Sequence, residues 1–227
     1  MITAFLDIDH TIVRGTSMER VFLRYLFTRG YITIIDILRN VVFICRNMND
    51  KSGIAIRSKR PYLQGKSVSL MKSLAEQCFR EKIVPEISEM ALAKIREHKD
   101  AGHSVVLLSG TLDILAQELT RFIKADHFIA CTAIEKDGYF TGDIMPPVPY
   151  GDLKRDIVLR YAQEYAINLK ECYAYGDSMA DSGLFQSVGN PSVVNPGRRL
   201  YGLAKERGWE MVTLIHHQKN KKTSLCP

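Results

Sequence analysis

Two aspartates one residue apart, Asp7 and Asp9, end the apolar run in FLDIDHTIV near the start of the chain. In a strand, residues i and i+2 point to the same face, so two carboxylates would crowd where the apolar run stops. Carboxylates that close repel unless a proton or a cation lies between them. A second acidic pair, Asp177 and Asp181, stands in YAYGDSMADSGLF, just past another strand-like run. A few hard oxygen ligands, completed by waters and a phosphate, suit Mg²⁺. Between these pairs, LLSGTLDIL places Ser109, Gly110 and Thr111 at a predicted strand-to-helix turn. A glycine there leaves backbone N–H groups accessible, a helix N-terminus favours an anion, and Ser109 adds a hydroxyl donor. YGDLKRDIVLRYA sets Lys154 in the first turn of a predicted helix, where a cation opposes the helix dipole unless an anion shares the site. Each signal has an ordinary alternative: helix capping by the aspartates, Ser109, Thr111 or Ser178, and a solvated surface position for Lys154. Taken together, all at carboxyl ends of predicted strands, they compose a site for an anion and Mg²⁺.

The elements that must position these groups alternate. Strand-like runs at 103–109, 127–134, 172–176, 191–195 and 209–215 follow the first one, with helical patterns at 85–102, 111–125, 152–166 and 198–208. This rhythm predicts an α/β fold with a doubly wound, Rossmann-like parallel sheet, in which ligands bind at the carboxyl edge. DGYFTGDI (137–144) reads as a β-hairpin. Residues 14–84 break the rhythm with three helical candidates, in SMERVFLRYLFTRG, in 31–46 and in SVSLMKSLAEQCFREKI. The expected organisation is an α/β core of 1–13 and 85–215, a helical cap of 14–84 inserted over the end of the first strand, and a flexible tail of 216–227.

Composition narrows the function classes. The 227 residues are 46% hydrophobic and 25% charged, the balance of a globular chain and not of a disordered one. Five widely spaced cysteines without a CxxC pair read as reduced thiols, and the N-terminus lacks a basic, apolar leader; both point to a cytoplasmic protein. The longest apolar stretch, YITIIDILRNVVFIC, is interrupted by Asp36, Arg39 and Asn40, too short and polar for stable membrane insertion. A helix half buried against other helices is the expectation there, with membrane-surface or dimer contact as the alternative. Charge is uneven: residues 14–82 carry 14 Lys/Arg against 5 Asp/Glu. A basic segment without a compact basic run or a nucleic-acid motif favours small anionic substrates over nucleic acid, and a solvated arginine-rich surface is the plain alternative.

The order DIDHT (7–11), SGT (109–111), Lys154 and GDSMAD (176–181) resembles the four motifs of the haloacid dehalogenase superfamily. The insert resembles the type 1 cap of its phosphoserine-phosphatase-like branch. AGHSVVLLSGTLD, DGYFTGDI and VVNPGRRLYGLAKERGW are similar to the subfamily IB hydrolases. The resemblance implies a phosphatase with Asp7 as nucleophile, forming an aspartyl phosphate, and Asp9 as general acid and base. It implies Mg²⁺ held by Asp7, the backbone carbonyl of Asp9, Asp177 and Asp181, and a phosphate held by Thr11, Ser109, Gly110 and Lys154. In the cap, the family's amine-reading glutamate falls near Thr16 and Ser17, with Glu19 somewhat later, and the carboxylate-reading arginine matches Arg60, with Arg57 as competitor. The resemblance implies a small phosphorylated metabolite as substrate, and the basic charge of the insert, separately, is compatible with one more anionic than phosphoserine.

Two other classes compete. A phosphoacceptor signalling domain uses similar groups, but the length, the insert and a built-in acid/base at Asp9 favour turnover over a long-lived acyl phosphate. A catalytically silent binding module would be expected to have lost a motif residue, and none is lost.

Overall fold

The computed structural model describes residues 1–50 and 52–214; the expected tail of 216–227 lies outside them. Strand β1 (Thr3–Leu6) is followed by the helical insert: α1 (Met18–Thr28), α2 (Ile34–Asn47), α3 (Ile54–Arg57) and α4 (Val68–Cys78). Then come α5 (Glu89–Asp100), β2 (Ser104–Leu112), α6 (Asp113–Ile123), β3 (His127–Cys131), β4 (Ala133–Lys136), β5 (Tyr139–Ile144) and α7 (Leu153–Glu164). The chain continues through β6 (Tyr173–Gly176), α8 (Ser182–Phe185), β7 (Asn190–Val194), α9 (Arg198–Arg207) and β8 (Glu210–Val212). The main sheet has the order β3-β2-β1-β6-β7-β8, and each of its pairings is parallel. This is the doubly wound α/β architecture that the strand–helix rhythm predicts.

Alternate residues of the central strands feed two cores. Ala4, Leu6, Val105 and Leu107 pack with Ala91 and Ile95 of α5 and Leu115 and Leu119 of α6. Phe5, Val106 and Leu108 pack on the other face with Ile157, Val158 and Tyr161 of α7 and Leu200 and Ala204 of α9. Strands buried on both faces are apolar throughout, which is why periodicity marks them as runs without alternation.

The insert shares the first core. Met18, Phe22 and Leu26 of α1 and Met71, Leu74 and Ala75 of α4 belong to the same buried cluster as β1 and β2. Helix α2 is half buried, as expected: Ile37 packs against this cluster, while its outward side meets solvent. Ile34, Ile35, Leu38, Val41 and Val42 are 46–58% exposed, while Asp36 is buried. The polar residue turns inward because it completes a capping box with Thr33 and pairs with Lys66 at 3.3 Å.

Three boundaries differ from the sequence reading. The run 127–134 is not one strand: β3 ends at Cys131, opposite Leu112, and Ala133 instead pairs with Ile144. The hairpin is therefore β4–β5 with Asp137-Gly138 as its turn, both at positive φ (53° and 82°). Its turn and second strand clamp the insert: Arg60 N donates to Gly142 O (2.6 Å), Gly65 N to Phe140 O (2.9 Å) and Val68 N to Gly138 O (3.0 Å). Ser109, Gly110 and Thr111 lie within β2, not at a helix start, because the β2–β3 register shifts between Leu108 and Leu112 and the strand continues to Leu112.

Candidate active site

The sheet order places β1 between β2 and β6, so the segments that follow these three strands meet at one edge. β1 stops at Leu6, and the next residue, Asp7, remains tied to the sheet through its N–H, which donates to Tyr175 O at 2.9 Å. The chain then folds into a tight turn. Ile12 N and Val13 N donate to Ile8 O (2.9 and 3.1 Å), and His10 takes a left-handed φ of 62°. This turn separates the two aspartates that a continuous strand would have crowded. The Asp9 carboxylate accepts from Met18 N at 2.8 Å, at the first turn of α1. Asp7 instead faces Lys154, whose Nζ donates to Asp7 Oδ1 and to Asp181 Oδ1, both at 2.6 Å.

Lys154 is 2% exposed, so its place in the first turn of α7 is not a solvated one. Burial opposes its charge, but the flanking Asp181 and Asp7 outweigh that and hold the ammonium above its ordinary pKa. Asp181 is fixed from the other side, where Ser178 N and Oγ donate to Oδ2 at 3.1 and 3.0 Å. The glycine ending β6 makes room for it. A Cβ on Gly176 would come within 2.7 Å of Asp181 Cγ.

Asp7, Asp177 and Asp181 present carboxylate oxygens within 4.8 Å of one another. Three carboxylates against one lysine leave negative charge under-compensated. Burial, reinforced by the charges of Asp181 and Asp9, raises the Asp7 carboxyl well above the usual range despite Lys154. Burial first, then Asp181, lifts Asp177 to about 6. Hard oxygen donors with surplus negative charge fit a divalent cation of the Mg²⁺ kind. Among the described residues the Asp9 carboxylate lies outside this cluster. Burial lifts Asp9 to about 6, against the hydrogen bond from Met18 that lowers it; near-neutral titration suits a proton-transfer group.

A cavity of about 580 Å³ opens over these groups, lined by Asp7, Asp9, Ser109, Gly110, Lys154, Asp177 and Asp181 from the core and by Arg57 and Arg60 from the insert. Ser109 is buried, and its Oγ accepts from Thr111 N at 3.3 Å. Two expected residues do not reach the cavity. Thr11 is fully buried within the 8–13 turn with its hydroxyl unpartnered, and Thr16 precedes the N-cap Ser17 and is not part of the lining. In their region the lining residues are Ser17, Glu19 and Arg20. Glu19 forms an ion pair with Arg60 and accepts from Tyr62 Oη at 3.1 Å. Burial opposes the charge on Arg60, but the facing Glu19 holds the guanidinium above its ordinary pKa. Arg57 lies over the Tyr150 ring, 3.4 Å from its centroid. The sequence offered Glu19 only behind Thr16 and Ser17, because an acidic residue in a first helical turn is ordinary helix-dipole chemistry. Tyr62 and Tyr150 carried no signal at all.

The model of the haloacid dehalogenase-like hydrolases matches residues 4–186. A Mycobacterium tuberculosis protein named phosphoserine phosphatase SerB1 is 32% identical over 214 residues, 92% of this chain and 69% of that protein. A crystal structure of a protein of unknown function from Bordetella pertussis Tohama I superposes with a TM-score of 0.82 at 24% identity, covering 95% of this chain and all of that one. A substrate-bound phosphoserine phosphatase superposes with a TM-score of 0.66 at 21% identity, covering 93% and 92% of the two chains. Fold, motif geometry and relatives agree: the chain belongs to the haloacid dehalogenase-like hydrolase family and is a phosphatase of its phosphoserine-phosphatase-like branch.

Proposed function

We propose that this phosphatase is Mg²⁺-dependent and hydrolyses a small, anionic phosphomonoester through a phosphoryl group carried on Asp7. The observation that carries the reading is the buried Asp7–Lys154–Asp181 chain at 2.6 Å spacing, with Asp177 alongside and Asp9 held apart on Met18 N.

In this mechanism an Asp7 oxygen attacks phosphorus while the ester oxygen leaves on the opposite side. Asp9, poised near pH 6 by burial, gives its proton to the leaving alcohol. It then takes a proton from the water that attacks the aspartyl phosphate, which regenerates the Asp7 carboxylate. Lys154 and Ser109 stabilise the oxygens of the transferring group. Asp7, Asp177, Asp181 and the Asp9 carbonyl would hold Mg²⁺, which would supply the charge neutralisation that lets carboxylate and phosphate approach. The insert acts as a cap. Arg20, Arg57 and Arg60 on the cavity wall favour an anionic substrate, although Arg60 is engaged by Glu19, so a second anionic group meets Arg20 and Arg57 first.

The cysteines support a reducing, cytoplasmic setting. Cys45, Cys78, Cys131 and Cys172 are free, and among the described residues no helix is long and apolar enough to cross a membrane.

The test is phosphate release from a panel of phosphorylated metabolites with and without Mg²⁺. Wild-type protein should turn over at least one anionic phosphomonoester only with the metal, and Asp7→Asn should reduce the rate by about 10⁴-fold or more. Metal-independent turnover, or activity retained in Asp7→Asn, would refute the mechanism.

A further inference from the structure

Helix α2 has an inner side toward the cavity and an apolar outer side that the cavity does not use. Its inner row carries Asn40 and Ile44, which line the cavity. Its outer row is Ile34, Ile35, Leu38, Val41 and Val42, all 46–58% exposed. The spacing i, i+1, i+4, i+7, i+8 is one helical face. Tyr31 before the helix and Met48 at its C-cap add 38% and 66% exposed apolar surface in line with it. A continuous outward apolar stripe of this kind is not an ordinary solvent face.

The flanking charge identifies the occupant. Arg39 and Arg46, seven residues apart and exposed, edge a shallow groove with Ile35, Leu38, Val42 and Phe43. The one acidic residue of α2, Asp36, is buried and committed to Thr33 and Lys66. A second copy of this chain packed twofold on the stripe would bring these arginines toward their own counterparts without an exposed carboxylate on the helix to answer them. An apolar stripe with basic flanks matches a bilayer surface rich in anionic headgroups, where the side chains enter the acyl boundary and the arginines meet phosphates.

We infer that α2 docks this protein reversibly on anionic membrane surfaces, lying in the interface without crossing it. The same helix lines the cavity through Asn40 and Ile44 on its other side, so docking brings a wall of the site near the lipid surface.

The test is co-sedimentation of the full chain with vesicles of phosphatidylcholine alone or with about 30 mol % phosphatidylglycerol. Wild-type protein should sediment with the anionic vesicles and remain in the supernatant with the zwitterionic ones. Arg39→Gln with Arg46→Gln should weaken binding by about fivefold per arginine. Leu38→Glu with Val42→Glu should abolish it. These variants should retain vesicle-free hydrolysis of whichever soluble phosphomonoester the wild type accepts, and an unchanged circular-dichroism melting curve checks their fold if it accepts none. Absence of sedimentation, or equal sedimentation with both vesicle types, overturns the inference. So does a concentration-dependent dimer that Leu38→Glu with Val42→Glu dissociates, since a second copy then covers the stripe.

Discussion

The strand-end cluster and the inserted helices handle charge in opposite ways. At the carboxyl edge of the sheet, Asp7, Lys154 and Asp181 are at most 7% exposed and locked to one another. In the insert, arginines predominate over acids, and α2 turns apolar side chains toward solvent. The first region uses burial to hold groups at unusual protonation states; the second, outside its buried Arg60–Glu19 pair, offers surfaces and exposed cations such as Arg20, Arg39 and Arg46. Chemistry that must be the same for every substrate sits where the sheet fixes it. In the proposed mechanism recognition, which must vary, falls to helices tied to the core through α1, α4 and the β5 clamp.

The strongest way to break this contrast is at Lys154. Lys154→Met leaves two buried carboxylates facing each other, and loss of one partner from a buried ion pair costs about 3–5 kcal/mol. Turnover should vanish and chemical denaturation should report that loss. Adding Asp181→Asn should restore part of the stability without restoring activity. If Lys154→Met is as stable as wild type, the lysine is not the compensating charge.

Asp9→Asn should separate chemistry from structure. Its carboxylate accepts one backbone hydrogen bond, which the amide oxygen can still accept. The fold should survive, while steady-state hydrolysis falls about 10²–10⁴-fold. Undiminished turnover would remove Asp9 from the proton-transfer role.

In the insert, effects should be smaller and should appear in KM. Glu19→Gln removes the negative partner of Arg60, and the freed guanidinium should bind anionic substrates severalfold more tightly, on the order of 1 kcal/mol. A kcat held within about twofold would place Glu19 in recognition; a collapse of kcat with KM unchanged would place it in the chemistry.

The smallest effect lies in the core, remote from the site. His98 is 6% exposed, with Nε2 against Tyr175 Oη (2.9 Å) and Nδ1 against His103 Nδ1 (3.0 Å). Burial, then the neighbouring His103 and Lys94, pushes its pKa down to about 4. The unfolded chain, titrating near about 6.5, binds more protons between these values, so this contribution to stability is complete above about 6.5 and is lost as pH falls toward 4. His98→Gln should flatten the fall in Tm between pH 7 and pH 5; an unchanged slope would dismiss the histidine.

Much of this was legible in the sequence, for reasons the structure makes plain. Buried parallel strands are apolar on both faces, so β1, β2 and β6 stand out as runs, and the acidic residues ending them stand out by contrast. Strand order then brings together Asp7, Ser109 and Asp177, which no local pattern connects. What stayed hidden was set by tertiary contact. The 127–134 run divides because Ala133 finds Ile144 in a hairpin. Thr11 lies buried in its turn because the chain folds back on Ile8. Glu19 matters only because Arg60 and Tyr62 arrive from more than 40 residues away, held by Gly142 of the hairpin. The outward face of α2 was left open in the sequence, where an apolar stripe fits burial or a membrane or dimer contact alike until a structure shows its side chains exposed.

In the proposed mechanism Asp7 carries the phosphoryl group. Rapid acid quench of wild-type protein with Mg²⁺ and a ³²P-labelled substrate, followed by tryptic mapping, tests it directly. The mechanism predicts transient, hydroxylamine-sensitive label on the 1–14 peptide, accumulating further in Asp9→Asn and absent from Asp7→Asn. Label on another peptide, or turnover with no trapped label even in Asp9→Asn, would contradict it.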